Sequence, residues 1–504
     1  MNTPISSSDY IALLPELVLT VFGIAVMMLD AVMGKSSRKS LGLVSLVGTL
    51  AAIGAAVYQI QFQGRDAWFG LVRVDSFSIF FHILIPAIAA VCILASTEYL
   101  GKQEINSGEY YALILFGTVG MVLMSCAVEL VLIFIALEIS SISTYILAGY
   151  RRRTASSTES AVKYFLLGSF ATAFFLYGVA LLFGATGSTE IGRIAHQIAD
   201  KIATHQPMTL VYAATALMLI GLGFKIASAP FHVWTPDVYE GAPAPVVALM
   251  STGPKAAAFA VLLRILFSTF TVETPGWFWL VWVSAALSMT IGNFGALMQS
   301  NVKRMLAYSS IAHAGYLLVA FAASNEIGLT AAIFYTAAYA TMNVGAFAVV
   351  SHFAGKGEQF TTVDDYAGLG KRSPLLAFTL TVFMLSLIGI PVTGGFFAKY
   401  YVFNAALHST APKMVALTVI GLINSAVASY YYLRLIVVMY MREQTTDRVP
   451  EPVSPAMGFA LVVAAIATIY LGIAPGPVLD YAGKGAQNIL PSTPQASMQS
   501  TPGQ

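Results

Sequence analysis

Hydrophobic segments long enough to cross a lipid bilayer fill most of this chain and leave it few other ways to fold. A membrane-spanning helix needs about 20 apolar residues, and fourteen segments of that kind follow one another along the 504 residues. They lie near 11–33, 41–62, 75–97, 110–127, 128–149, 159–184, 209–231, 244–270, 276–298, 304–323, 327–353, 374–407, 413–441 and 456–475. Soluble proteins carry about 25% charged residues, whereas this chain carries 10%. The sequence therefore predicts an all-α polytopic membrane protein, and its net charge of +2 gives no indication of a nucleic-acid partner.

The distribution of basic residues predicts the orientation in the membrane. Cytoplasmic connections of membrane proteins carry an excess of Lys and Arg. Connections after odd-numbered segments hold fourteen of the 26 cations, and those after even-numbered segments, together with the tail, hold six. We therefore expect both termini on the non-cytoplasmic side.

The remaining six cations fall within hydrophobic segments, where each needs a partner. A lysine at the centre of a bilayer costs about 2.5–3.5 kcal/mol on insertion scales. For Lys225 the sequence offers Glu138, near the middle of the fifth segment, and Ser141 and Tyr145 share the helical face of Glu138. An isolated buried ion pair can be purely structural. Arg264 and Arg434 lie toward segment ends and are expected to reach the interface.

Further titratable residues argue against a purely structural role for the pair of Glu138 and Lys225. Besides Glu138 and Lys225, Lys255 and His313 lie near mid-segment, and Lys399 follows a proline–glycine break. A row of titratable groups at one depth is typical of a proton relay, and we expect these five residues to form one. The relay residues are Glu138, Lys225, Lys255, His313 and Lys399.

Two more residues are possible modulators, and the sequence leaves two interpretations open for each. Lys163 has Glu159 four residues before it, so it can form an ordinary helix pair or act on Glu138 from the neighbouring segment. His232 can carry protons or serve as an interfacial hydrogen-bonding group.

The charged residues repeat along the chain. Glu138 and Lys225 are 87 residues apart, and His313 and Lys399 are 86 apart, in segments five and seven and then ten and twelve. An offset of five segments is odd, so the second copy is inverted in the membrane, giving two five-helix repeats of segments 4–8 and 9–13. Segments seven and twelve contain Pro and Gly and are expected to be broken helices. They hold Pro230 and Pro236, and Pro391, Gly394 and Gly395.

This pattern predicts the following organisation. An N-terminal three-helix segment spans 1–109, a first repeat 110–270, a second, inverted repeat 276–441, a C-terminal helix 442–490, and a tail at 491–504 has the composition of a disordered segment. Cys92 and Cys126 lie in apolar runs and are expected to be small buried hydrophobic residues, with no metal site predicted.

Five stretches of the sequence resemble a known family. The chain is similar to the subunit N branch of the antiporter-like membrane subunits of proton-translocating NADH:quinone oxidoreductase, respiratory complex I. The stretches are IALEISSISTYILAGY at 135–150, ESAVKYFLLGS, GLGFKIASAPFHVWTPDVYEGAPAPV, NVKRMLAYSSIAHAGYLL and GIPVTGGFFAKYYVF. The resemblance covers nearly the whole chain.

The resemblance implies roles for four of the relay residues. Glu138 and Lys225 match the charge pair of the family, Lys255 its connecting lysine, and Lys399 the lysine of the second half-channel. The related subunit M typically has glutamate at the last position, and the length leaves no room for the C-terminal extension of subunit L. Membership would make the chain part of an enzyme, a redox-driven proton translocase.

The resemblance also implies cofactors and partners. No cofactor is expected in this chain, because NADH, FMN, iron–sulfur clusters and quinone belong to the rest of the complex. Expected partners are the lipid bilayer and other membrane-arm subunits, including the neighbouring subunit M and the small subunit K. The location implied is the bacterial cytoplasmic (inner) membrane, with both termini periplasmic.

Two other functions compete with this one. A subunit of a multisubunit cation/proton antiporter would share the repeat and the charges but have no redox partners. A solute permease is less compatible with the sequence, because the charged groups are spread over five segments and do not converge on one pocket.

The charge asymmetry gives a topology prediction. Reporter fusions after Arg153 and after Gln504 should report opposite sides of the membrane, the first cytoplasmic and the second periplasmic. Paired alkaline phosphatase and green fluorescent protein fusions measure this in intact cells. The same side for both fusions would mean that the number of segments is wrong by one.

Overall fold

The computed structural model describes residues 6–34, 40–105, 108–269, 276–409, 411–444 and 451–490. Four of the basic residues used to predict the orientation (Lys35, Arg38, Lys39 and Arg448) and the predicted tail at 491–504 lie outside these ranges.

Helices account for nearly all of the described chain. The N-terminal part contains α1 (Ser7–Ala12), α2 (Leu14–Val32), α3 (Ser40–Gln59), strands β1 (Arg65–Ala67) and β2 (Val72–Val74), and α4 (Ser76–Lys102). The next part contains α5 (Gly108–Cys126), α6 (Leu130–Ala148), α7 (Ala155–Thr186), α8 (Ile191–Ala203), α9 (Thr209–Ile226), α10 (Thr235–Gly241) and α11 (Ala244–Thr269). It is followed by α12 (Gly276–Leu297), α13 (Val302–Ala323), α14 (Glu326–Phe353), α15 (Leu369–Arg372), α16 (Pro374–Ile388), α17 (Gly394–Leu407) and α18 (Pro412–Met441). The last helices are α19 (Pro455–Ile473) and α20 (Gly476–Ile489).

The predicted membrane fold is confirmed. Thirteen helices of the described chain are long and apolar enough to cross a membrane. The fourteenth predicted segment is the pair of half-helices α16 and α17, each too short to cross alone. The order along the chain matches the predicted order throughout.

Burial separates a central group of helices from a lipid-facing rim. Helices α11, α13 and α14 are buried along almost their whole length. Helices α7, α12 and α18 instead keep long rows of exposed apolar side chains. Large exposed apolar faces of this kind fit contact with lipid, so the polar groups of the central helices lie far from lipid.

The two predicted broken helices are present. Helix α9 ends at Ile226, where Ala227 takes a left-handed conformation (φ 60°), and α10 starts at Thr235. Helix α16 ends at Ile388, Gly389 takes a left-handed conformation (φ 92°), and α17 starts at Gly394. Glycine adopts this backbone conformation without the steric penalty that Cβ causes.

Neighbouring side chains satisfy the backbone groups freed at the first break. On α12, Ser288 Oγ accepts a hydrogen bond from Ala229 N at 2.7 Å, and Ser284 Oγ donates to Ala229 O at 2.7 Å. Unpaired backbone groups cost several kcal/mol each in hydrocarbon. The break in one repeat is therefore held by two serines of the other repeat.

Two short backbone bridges, one within each repeat, show which residues of the two repeats correspond. Glu129, the N-cap of α6, pairs with Glu190, and Asn301, the N-cap of α13, pairs with Thr362 in the same antiparallel manner. Both members of the second bridge are displaced by 172 residues from those of the first.

Two glycines at this same spacing let helices pack closely. A Cβ on Gly120 would lie 2.5 Å from Ala136 O of α6, and a Cβ on Gly292 would lie 2.5 Å from Ala312 N of α13. Each glycine therefore brings the first helix of its repeat against the backbone of the second helix.

Some elements lack a long apolar signal and were not predicted as separate elements. A two-stranded hairpin joins Arg65–Ala67 to Val72–Val74, and α8 forms a short amphipathic helix in the predicted loop 185–208. The segment 442–490 contains the amphipathic α20 in addition to the spanning helix α19. These elements are too short or too polar to cross a bilayer.

A buried carboxylate on the loop after α14 ties several helices together. Glu358 Oε2 pairs with Lys303 Nζ at 2.6 Å and with Arg151 Nη2 at 3.4 Å, while its Oε1 accepts from Tyr99 OH and Ala244 N, both at 2.8 Å. Burial alone would raise the pKa of Glu358, but Lys303 and Arg151 outweigh it, so the pKa lies below its ordinary value. The carboxylate therefore stays ionised where α4, α11 and α13 meet.

Close packing at Gly292 gives a stability prediction. Gly292→Ala should lower the melting temperature of the chain in lipid nanodiscs, since overpacking costs about 1–3 kcal/mol. Gly54→Ala is the matched control, because Gly54 faces outward on α3 and a Cβ there meets no atom within 4 Å. Equal melting temperatures for the two variants would contradict the close approach of α12 and α13.

Candidate functional site

Lys225 lies at the end of α9, in a pocket of aromatic rings. Its Nζ is 5.4 Å from the ring centroid of Tyr145 and 5.5 Å from that of Tyr164. Tyr145 can reach this position because its hydroxyl occupies the space that a Cβ on Gly168 would fill. Such cation–π contacts contribute about 0.5–2 kcal/mol. They offset part of the cost of burying the ammonium group.

The predicted ion pair of Glu138 and Lys225 is not formed in this structure. Among the described residues no nitrogen–oxygen pair within 4.0 Å joins them, and Glu138 Oε1 and Lys225 Nζ are buried without a hydrogen-bond partner. Tyr145 OH is also buried and unpartnered. Tyr145 lies two turns from Glu138 on one helical face, and it is the Tyr145 ring, not the carboxylate, that contacts the Lys225 ammonium group.

Lys255 is buried in the middle of α11 and has a defined partner. Its Nζ donates to the carbonyl oxygen of Ser310 at 3.2 Å and to the Ser310 hydroxyl. That hydroxyl also accepts from Tyr339 OH at 2.8 Å. Ser251, expected on the same face as Lys255, instead accepts a hydrogen bond from Asn343 at 2.8 Å.

His313 lies one turn beyond Ser310 on α13 and is bonded through both ring nitrogens. Nδ1 is 2.7 Å from Tyr335 OH, and Nε2 is 3.4 Å from Tyr432 OH. Tyr432 OH is also hydrogen-bonded to Ser309. The ring of Tyr339, which bonds to Ser310, lies 5.2 Å from the His313 ring. His313 is therefore part of the same polar cluster as Lys255.

The cluster continues from α18 toward α17. The rings of Tyr431 and Tyr432 are 4.3 Å apart, and Tyr431 OH donates to Asn293 Oδ1 at 3.0 Å. Asn293 Nδ2 in turn donates to Tyr316 OH at 3.2 Å. Lys399 Nζ lies 4.8 Å from the Tyr316 ring centroid.

Lys399 closes the second helix break. Its Nζ donates to Leu387 O at 3.1 Å, to Ile388 O at 2.8 Å and to Ser425 Oγ at 2.9 Å. These carbonyls belong to the last turn of α16, the end of a helix that attracts positive charge. Lys399 can therefore serve either as a fixed cation at this helix end or as a group that gains and loses a proton.

The structure thus brings Lys255, His313 and Lys399 into one polar cluster, whereas Lys225 lies apart from it. Around these three residues, the hydroxyl and amide groups of the second repeat are mostly hydrogen-bonded. In the first repeat, several buried polar atoms have no partner among the described residues, and each of them can take up a hydrogen bond if the neighbourhood rearranges. They are Glu138 Oε1, Ser140 Oγ, Tyr145 OH, Lys225 Nζ, Thr235 Oγ1 and Tyr239 OH.

The register of the repeats corrects the predicted equivalence of the charged pairs. With an offset of 172 residues, Glu138 corresponds to Ser310 and not to His313. Lys225 precedes the break in its helix, whereas Lys399 follows the break. The 87- and 86-residue spacings therefore do not reflect equivalent positions. The inverted repeat itself is present.

The two possible modulators occupy different surroundings. Lys163 pairs with Glu159 at 2.7 Å, as the spacing indicated, and also with Asp237 of α10 at 2.8 Å. Asp237 is shared with Arg304 of α13, at 2.8 Å. These residues line a polar cavity of about 400 Å³. His232 lies in the break after α9, half-buried, and its Nδ1 has no partner in the described chain.

Arg264, which was expected to reach the interface, is enclosed by the protein. Its side chain is only 2% exposed and pairs with Asp75 at 3.1 and 3.2 Å, and it also donates to Ser125 O at 3.0 Å. Its guanidinium carbon lies 4.9 Å from the Phe77 ring centroid. This pair could not be predicted from local spacing, because Asp75 is 189 residues away.

Tyrosines are the participants that sequence reasoning missed. Five tyrosines contact the predicted site residues or the polar groups bonded to them: Tyr164, Tyr335, Tyr339, Tyr431 and Tyr432. A tyrosine in an apolar helix is common in protein cores and at membrane interfaces, so it does not by itself indicate a functional site. The usable signal was the pair of adjacent tyrosines at 431 and 432 in the middle of a spanning segment.

Comparison with known proteins places this geometry in a family. A family model described as "NADH:quinone oxidoreductase/Mrp antiporter, TM" matches residues 127–425. NADH-quinone oxidoreductase subunit N 2 of Koribacter versatilis is 62% identical over 494 residues, which cover 96% of this chain and 98% of that relative. The chain belongs to the NADH-quinone oxidoreductase subunit N family.

Other members and solved structures agree with this assignment. Subunit N of Trichlorobacter lovleyi is 45% identical over 95% of this chain and 97% of that relative. A chain of respiratory complex I from Thermus thermophilus, solved with bound aureothin, is 36% identical with a TM-score of 0.78, covering 93% of this chain and 99% of that chain. A chain of the Mrp complex from Dietzia sp. has a TM-score of 0.81 at 22% identity, covering 95% and 97%, which shows a shared fold alone.

Proposed function

We propose that this chain, as a membrane subunit of NADH-quinone oxidoreductase, moves protons through a relay of Glu138, Lys225, Lys255, His313 and Lys399. The redox chemistry that drives the relay belongs to other subunits of the complex. The chain's own contribution is to hold, pass and release protons inside the membrane.

The cluster that joins Lys255 to Lys399 carries this proposal. Proton transfer needs donors and acceptors within hydrogen-bond reach. Hydrogen bonds join Lys255 to Ser310 and Ser310 to Tyr339. His313 is hydrogen-bonded to Tyr335 and Tyr432, and its ring lies 5.2 Å from that of Tyr339, which places the two hydrogen-bonded groups side by side. A network with no transport role would not need titratable groups at three points of one buried row.

The first repeat holds the remaining two members in a separated arrangement. Glu138 and Lys225 each have an unpartnered buried atom, and Tyr145 lies beside Lys225. Movement of this ring would let the carboxylate and the ammonium group approach, and each charge would then stabilise the other. We propose this approach as the step that makes protonation of Lys225 depend on Glu138.

Lys163 and His232 are proposed as modulators. Lys163, with Asp237 and Arg304, lines the polar cavity at one end of the first repeat. A charge cluster of this kind can attract and buffer protons before they reach Glu138. His232, in the break beside Lys225, can adjust the charge near that lysine.

The proposed assembly follows from family membership. Relatives named subunit N and a chain of complex I with the same fold support contact with other membrane-arm subunits. We propose subunit M and the small subunit K as neighbours, and a bacterial cytoplasmic membrane with both termini on the periplasmic side. The flavin and the iron–sulfur clusters are assigned to the other subunits, with no cofactor in this chain.

The second candidate function is that of a subunit of a cation/proton antiporter with no redox partners. The Mrp likeness supports the fold alone, whereas the relatives of high identity are subunits of a quinone oxidoreductase. Affinity purification of the tagged chain in mild detergent should bring down flavin- and iron–sulfur-containing subunits. Recovery with antiporter subunits alone would reverse the assignment.

Substitutions at Lys399 test the relay. Lys399→Met removes the titratable group and should cut proton translocation per quinone reduced severely in inverted membrane vesicles. Lys399→Arg keeps a cation near the Leu387 and Ile388 carbonyls, but arginine essentially never loses its proton. We therefore expect both variants to lose coupling, whereas a purely structural cation would be rescued by arginine.

Lys413→Met is the matched control, since Lys413 lies at the start of the same α18 that carries Ser425 and packs on Trp279 at 4.2 Å. This variant should pump normally. All rates are normalised to the amount of assembled complex. Near-normal coupling in Lys399→Arg would reject proton exchange at this lysine.

A further inference from the structure

Three buried side chains of the N-terminal part converge away from the relay. Glu16 on α2, His82 on α4 and Cys126 at the end of α5 each present one ligating atom, and these atoms lie within 4.8 Å of one another. Glu16 Oε1 is 3.7 Å from His82 Nε2 and 3.5 Å from Cys126 Sγ. All three side chains are at least nine-tenths buried.

Gln59 of α3 determines which nitrogen of His82 faces this cluster. Gln59 Nε2 donates to Ile11 O and Ala12 O, both at 2.9 Å, so the amide oxygen points the other way. That oxygen is 2.8 Å from His82 Nδ1 and can only accept. His82 Nδ1 therefore carries a proton, and Nε2, which holds the lone pair of a neutral imidazole, faces Glu16 and Cys126.

With Glu16 ionised and His82 neutral, the cluster has more lone pairs than protons. Among the described residues, Glu16 Oε2 and His82 Nε2 are buried and have no hydrogen-bond partner. The Cys126 thiol supplies one proton, at 3.5 Å from both Glu16 Oε1 and Leu123 O. A carboxylate buried without a compensating positive charge is costly, so a bound cation would satisfy all three groups at once.

The spacing of the atoms selects the kind of cation. Ligands bound tetrahedrally at 2.0–2.3 Å are separated by about 3.3–3.8 Å. The two separations from Glu16 Oε1, 3.7 and 3.5 Å, fall in this range, and the ligand atoms of His82 and Cys126 lie within 4.8 Å of each other. Nitrogen and sulfur together with one carboxylate oxygen favour zinc over calcium or magnesium, which prefer oxygen alone.

We propose that Glu16, His82 and Cys126 form a binding site for Zn²⁺ or a similar borderline-soft divalent cation. On binding, the S–H bond of Cys126 breaks, its proton leaves to the buffer, and a metal–sulfur bond forms. Zn²⁺ with one thiolate and one carboxylate is electrically neutral, which suits a buried position. The Gln59–His82 hydrogen bond orients the imidazole, as is usual for metal-bound histidine.

The site does not involve the residues of the proposed relay, and its expected effect is on the packing of helices. It joins α2, α4 and α5, while Gln59 adds α3, so the metal would fasten the N-terminal helices to the first helix of the first repeat. Both cysteines were expected to be small buried hydrophobic residues. Cys92 is buried and, among the described residues, belongs to no group of three ligating side chains, so only Cys126 gains a different role here.

Cobalt binding tests the proposal directly. The full-length chain, purified through a tag without histidine and treated with chelator, is reconstituted in lipid nanodiscs and titrated with Co²⁺. The chain has two cysteines, so Cys92→Ser leaves Cys126 as the sole source of a thiolate. We expect this variant to bind one equivalent with a near-ultraviolet thiolate-to-cobalt band and intense visible bands of a tetrahedral ion, both abolished by Zn²⁺.

Further variants assign the other ligands. Added to Cys92→Ser, Cys126→Ser should remove the thiolate band, and His82→Ala or Glu16→Gln should weaken metal binding more than tenfold. Absence of the thiolate band in the Cys92→Ser chain would overturn the proposal, and this result does not depend on whether the other variants fold. An unchanged affinity in folded His82→Ala and Glu16→Gln would overturn it as well.

Discussion

Hydrocarbon offers no hydrogen bonds, and the rest of this structure follows from how the chain meets that constraint where its helices break. At the first break, Ser284 and Ser288 of α12 satisfy the backbone at Ala229. At the second, the Lys399 ammonium group satisfies the carbonyls of Leu387 and Ile388. Because free backbone groups cost several kcal/mol in lipid, each break must lie against polar partners. Those partners bring charge and hydroxyl groups into the centre of the membrane, where lysines and a histidine can then be accommodated.

Much of the fold could be predicted because its causes are local. The length of each apolar run determines a spanning helix, and proline and glycine near Pro230 and Gly394 determine where two helices break. The relay candidates could be named because a single charge in an apolar run is conspicuous. Their partners could not be named with equal success. The contacts of Lys255 with Ser310 and of Arg264 with Asp75 depend on which helices meet, and neither residue type nor spacing encodes that.

The correspondence between residues of the two repeats was also predicted incorrectly from the sequence. Charge spacing suggested that Glu138 and His313 are counterparts, but the bridge at Asn301 and Thr362 sets the register three residues differently and aligns Glu138 with Ser310. Ser310 holds Lys255 through a hydroxyl and a carbonyl oxygen. The second repeat thus has a neutral group where the first has a carboxylate. Related folds can therefore place different charges at one position while keeping the backbone contacts intact.

The serines that close the first break belong to the opposite repeat, and this restricts the motions open to the molecule. Many transporters with inverted repeats alternate access by rocking one half against the other. Here such a rotation would pull Ser284 and Ser288 away from Ala229 and expose backbone groups in the middle of the bilayer. These two hydrogen bonds join the two repeats at the helix break, which is where a rocking motion would need a flexible hinge. The proposed proton transfer therefore fits side-chain rearrangement within a stationary frame better than rotation of one half against the other.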